Sequence, residues 1–134
     1  MNQQKELAIK VMKFANEFTH WNFKMEQNVD FYHVGTTLNN EKGQEMAIYY
    51  LIGDGWVELM VISMNGKYDQ KSLQGKINKI ALRYPVYAIG IGDDNIAINS
   101  PMPLEVFDRD MAIIIRERMV DMIQEMTDIL NSHK

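Results

Sequence analysis

Residues 45–63 read EMAIYYLIGDGWVELMVIS, two apolar runs on either side of Gly53-Asp54-Gly55. Alternation with a period of two marks a strand, and an Asp-Gly pair supplies the left-handed backbone that closes a tight antiparallel hairpin. The runs therefore predict paired strands over 45–52 and 56–64. Met46, Ile48, Tyr50 and Ile52 fall on one face of the first strand and Ala47, Tyr49 and Leu51 on the other, while the second sets Met60 and Ile62 against Val57, Leu59 and Val61. Both faces are apolar enough to be at least partly covered.

The segments flanking this hairpin follow the same logic. Leu7, Val11, Phe14, Ala15 and Phe18 recur at three- and four-residue spacing, which predicts an amphipathic helix from about Gln3 to Phe18. Phe23 to Leu38 is β-branched and aromatic and reads as one long strand with a bend near Gly35, closed by the turn cluster Asn39 to Gly43. Beyond Asn65-Gly66, Asp69 can cap a second helix whose buried side is Leu73, Ile77, Ile80 and Ala81, and Pro85 ends it. Val86 to Ile91 and Ile96 to Asn99 flank Gly92-Asp93-Asp94-Asn95 as a second hairpin. Pro101 and Pro103 are expected to break that ladder before a last helix, about Asp108 to Leu130. The predicted fold is α+β, an antiparallel sheet packed on helices in the order α-βββ-α-ββ-α, with residues 1–134 as one domain.

Composition narrows the function classes. A chain of 134 residues buries about two-thirds of its unfolded surface, enough for a core without staples. The absence of cysteine excludes a disulfide framework, cysteine-ligated zinc and a thiol nucleophile together. Lys5, Glu6 and Lys10 interrupt the apolar residues of the first helix, so it reads as neither a signal peptide nor a membrane span, and a cytoplasmic location is expected. A net charge of -4 disfavours nucleic acid, which demands a positive field. The 11 methionines suit flexible core filling or an adaptable binding surface.

No catalytic signature emerges. Asp93-Asp94 resembles the acidic turn of two-metal polymerases, but no second acidic strand motif completes a metal pair, and Gly, Asp and Asn are what tight turns select. Asp108 and Asp110 fit a helix cap better than a metal site. His20, His33 and His133 have no metal-ligand spacing, and no serine sits in a nucleophile elbow. Neither a cofactor nor a metal is expected. Arg109, Arg116 and Arg118 interleave with Glu117, Asp121 and Glu125, the pattern of an ordinary salt-bridged helix face.

Apolar surplus is the feature left unexplained. In the last helix Met111, Ile114, Ile115, Met119, Met122, Ile123, Met126, Ile129 and Leu130 form a wide stripe, with Ile113 and Val120 one heptad apart behind it. Together with the two-faced hairpin, this predicts association with a second copy or a partner segment.

The predicted order, with IALRYPVYAIGIGDDNIAINSPMPLEVFDRDMAIIIRERMVDMI as hairpin, proline-containing bend and long helix (residues 80–123), resembles the type III secretion chaperone-like fold, shared by the YbjN family and the class I secretion chaperones. That resemblance implies a non-enzymatic protein-binding module or chaperone-like adaptor, a homodimer whose helix and sheet surfaces take an extended protein or peptide segment; charge and composition already point away from nucleic acid and membrane. Carried onto this chain, the partner surface comprises Leu7, Val11, Phe14, Tyr49, Leu51, Val57 and Leu59, and the dimer contacts Ile77 and Ile80. Ile113 and Val120 join those dimer contacts because of their position behind the main stripe. A small acidic inhibitor or immunity-type protein is the alternative, and a metal-dependent enzyme using Asp93 and Asp94 a more distant one. Replacing both aspartates by Asn is expected to leave the fold intact and to shift stability by less than about 0.5 kcal/mol. Thermal melts with and without Mg²⁺ or Mn²⁺ check this, and tight metal binding lost in the double variant would overturn the turn assignment.

Overall fold

The structure is a computed structural model and describes residues 2–39, 45–63, 88–91 and 96–132. Helix α1 (Asn2–Thr19) is followed by strands β1 (Lys24–Gln27), β2 (Tyr32–Asn39), β3 (Glu45–Gly53), β4 (Trp56–Ser63), β5 (Ala88–Ile91) and β6 (Ile96–Pro103), and then by helix α2 (Arg109–Ser132). The strands form one antiparallel sheet in the order β1-β2-β3-β4-β6-β5. The fold is α+β, as the sequence predicts. The helix expected over 69–84 and the turn holding Asp93 and Asp94 lie outside the described residues.

The β3–β4 hairpin is built as its sequence implies. Gly53 pairs with Trp56 across Asp54 and Gly55, and of the two linking residues only Gly55 takes a left-handed φ, +78°. That register puts Tyr50 opposite Leu59 and Ile52 opposite Val57, all turned toward the helices. A core cluster joins these to Ala8 and Val11 of α1, Val34 of β2, Ile96 and Ile98 of β6, and Ile115, Met119, Met122 and Met126 of α2.

Two expectations need correction. The segment 23–38 is two strands rather than one, because Asn28 to Phe31 turns the chain back and the Asn28 N–H donates to the Phe31 carbonyl at 2.8 Å. Asn28 and Asp30 are turn formers, whereas Gly35 stays in the ladder opposite Lys24 and Tyr49. The prolines do not break β6, which pairs with β4 as far as Pro103↔Trp56. The Leu104 N–H donates to the Gly55 carbonyl at 3.0 Å, so even-numbered residues of this stretch turn their N–H toward β4 and odd-numbered ones turn away. Pro101 and Pro103 are odd, and their missing donors cost the β4–β6 ladder nothing.

The passage from α1 into the sheet takes four residues. Thr19 Oγ1 donates to the Ala15 carbonyl at 2.7 Å, and His20 (φ +60°) and Asn22 (φ +63°) adopt left-handed backbone that reverses the chain. Asn16 then caps the sheet edge, its side-chain oxygen accepting from the Phe23 N–H and its Nδ2 donating to the Phe23 carbonyl at 3.2 Å. One side-chain amide thus fills the place of a neighbouring strand. Asn16→Ala leaves both groups of Phe23 unpartnered and is expected to cost about 1–3 kcal/mol. A lower urea midpoint at unchanged m-value checks this, and an unchanged midpoint would mean that water replaces the amide without loss.

Candidate functional site

Among the described residues no group of three or more His, Cys, Asp or Glu side chains is placed to hold a metal, and no helix is long and apolar enough to cross a membrane. Asp108 caps α2, its Oδ1 accepting from the Met111 N–H at 2.8 Å. His33 packs against Tyr49, ring centroids 4.3 Å apart. Burial raises the Tyr50 phenol above its ordinary range, so it stays protonated in the core.

The residues expected to bind a partner divide among three places. Val11, Val57 and Leu59 are core residues with essentially no exposure. Register explains the last two: they sit opposite Ile52 and Tyr50 on the helix-covered face, whereas Tyr49 and Leu51 pair with Met60 and Glu58 on the other. Leu7 and Phe14 are half-buried on α1, and Tyr49 and Leu51 half-buried on the sheet. No single surface contains all seven. Of the expected dimer contacts, Ile113 is half-buried and Val120 is 45% exposed, while Ile77 and Ile80 lie outside the described residues.

Phe14 and Ile113, predicted for different roles, meet in one notch. Together with Phe107, Asp108, Arg109, Ala112 and Arg116 they line a groove of about 490 Å³ between α1 and the first turns of α2. Leu104 is fully buried and anchors the connection before α2, which leaves Phe107 immediately before the Asp108 cap. A residue at that place commonly packs on the fourth helical position, here only the methyl of Ala112. Phe107 stands edge-on to Phe14 instead, centroids 5.7 Å apart. Phe14 stacks parallel to Phe18 at 6.4 Å, and the Arg116 guanidinium carbon lies 5.0 Å from the Phe18 ring centre. Phe18 remains 43% exposed.

Among the described residues no ion pair joins Arg109, Arg116 or Arg118 to Glu117 or Asp121, and two of the three have other contacts. Arg118 reaches the sheet, Nη1 lying 3.4 Å from Ser100 Oγ and 3.5 Å from Met102 Sδ. Arg116 covers an aromatic ring, and among the described residues neither Arg109 nor Arg116 has an ion-pair partner. The missed signal was the Phe14/Phe18 pair at i, i+4 combined with Phe107 just outside a helix cap. Sequence spacing could not show that they converge.

The sheet face turned away from both described helices carries His33, Tyr49, Leu51, Glu58, Met60 and Ile62. Glu58 Oε1 accepts from Asn99 Nδ2 at 3.1 Å. Two rings lie directly over glycines there. A Cβ at Gly35 would be 2.4 Å from the Tyr49 ring, and the Trp56 indole covers Gly53 in the same way.

With this geometry established, comparison of the chain with protein-family models, curated proteins and solved structures finds no match. The functional reading therefore rests on the surfaces themselves. Gly35→Ala is expected to cost about 1–3 kcal/mol, because the added methyl forces the Tyr49 ring aside. The same substitution in a Tyr49→Ala background should cost less than half as much. Equal costs in the double-mutant cycle would show that the ring is not what constrains Gly35.

Proposed function

We propose that this chain is a non-enzymatic protein-binding module, a chaperone-like adaptor that holds a segment of another protein against the groove between α1 and α2. The observation carrying this reading is the apolar rim left in water there. Phe18, stacked on Phe14 of the groove, and Val120, two helical turns on from Ile113, are each more than two-fifths exposed. Scattered exposed apolar residues need no explanation, but large ones exposed next to an aromatic notch do. Phe14 from the expected partner surface and Ile113 and Val120 from the expected dimer contacts thus share one surface in this proposal, and a second copy competes with a partner segment for it.

A charge on that rim tests the reading without disturbing the core. Val120→Glu and Phe18→Glu are expected to leave the circular dichroism spectrum unchanged and to weaken association at least tenfold, because a carboxylate there breaks the apolar rim and must be dehydrated when a partner covers it. Sedimentation equilibrium measures self-association. Partner binding is read as stoichiometric capture from the native host by wild type and its loss in both variants. A wild type that is monomeric at high micromolar concentration and captures nothing sensitive to either substitution overturns the proposal.

A further inference from the structure

The groove has a charge sign as well as an apolar floor, and the sign narrows its occupant. Arg109 and Arg116 line the notch on one side of α2 and, as noted, neither is ion-paired among the described residues. The third charged lining residue, Asp108, is a carboxylate that caps α2, its Oδ1 accepting from the Met111 N–H. Outside the lining, Lys10 and Glu17 fall beside Phe14 on α1 and offset each other, while Asp110 and Glu117 flank Ile113 at the same helical spacing on α2. The lining itself sets two guanidinium groups against one carboxylate, a net charge of +1 on a chain whose net charge is -4. Such a site favours carboxylates near its two guanidinium groups, and Arg matches carboxylate geometry better than a point charge does.

Spacing adds a second constraint. Arg116 follows Arg109 by seven positions, two helical turns or about 10.5 Å along α2, with Ile113 between them. A third helix lying in the groove presents its own i and i+7 positions at that same repeat, with apolar i+3 and i+4 positions turned to Ile113 and Phe14. A second copy related by two-fold symmetry brings the same two arginines and suits the site less well. Building on the protein-binding reading, we infer that the groove recognises an acidic amphipathic helix of a partner protein, carboxylates two turns apart and an apolar stripe between them.

The probe is an amidated helical peptide of about 14 residues with a Leu stripe and two Glu seven positions apart, compared with a twin carrying Lys in their place. Fluorescence anisotropy should show the Glu peptide binding wild type at least tenfold more tightly than the Lys peptide. The combined Arg109→Glu and Arg116→Glu variant, with an unchanged circular dichroism spectrum, should reverse that order. Ile113→Glu should weaken both. If the two peptides bind wild type equally, the charge inference fails while the protein-binding reading stands. If neither binds, or if a self-associated wild type is not dissociated by the Glu peptide, the acidic-helix occupant is overturned and the capture experiment alone decides the broader reading.

Discussion

The pairing of β3 with β4 is the constraint on which the other elements depend. Its register decides that Tyr50, Ile52, Val57 and Leu59 face the helices, and these four are buried in the core. Full burial of one such side chain is worth about 1.5–3 kcal/mol, so four contribute roughly 6–12 kcal/mol. A slip by one residue turns the pair on one strand outward while the pair on the other stays in, a loss of about 3–6 kcal/mol that approaches the stability of a marginal domain. The left-handed Gly55 holds that register, and the adjoining backbone bond from Leu104 ties the end of β6 to the same turn. The hairpin thus fixes where α2 begins, and with it the groove.

The opposite side of the molecule follows from a smaller device. Phe23 belongs to the core, yet its backbone lies at the open edge of β1, where unpaired groups invite a foreign strand. Asn16 closes that position from α1 and locks helix to sheet at the same point. Association by edge pairing is discouraged there, while the aromatic residues at the end of α1 remain available.

Much of the fold was legible because its signals are local. Asp54-Gly55 and the alternation around it specify a hairpin with no knowledge of the rest of the chain. The break at Asn28 to Phe31 was harder, since the β-branched and aromatic residues on both sides suggested one continuous strand. Pro101 and Pro103 misled for a related reason. A proline disrupts a ladder only when its missing donor points at a partner, and parity relative to the neighbouring strand is a property of the sheet. The same parity removed Val57 and Leu59 from the expected binding surface. The groove was not legible, because Phe14, Phe107 and Arg116 lie in three separate segments and converge only after α2 is capped by Asp108.

The methionines of α2 carry a consequence of their own. Met119, Met122 and Met126 have almost no exposure, whereas Met60 on the far sheet face and Met111 near the start of α2 are only half-buried. Thioether sulfur is oxidised where reagent reaches it, and the product is too polar for a packed interior. Under mild peroxide the half-buried pair records surface accessibility, while sulfoxide at the buried three records excursions in which α2 lifts from the sheet. The helix therefore carries a built-in chemical clock for its own opening, readable by mass spectrometry without any added label.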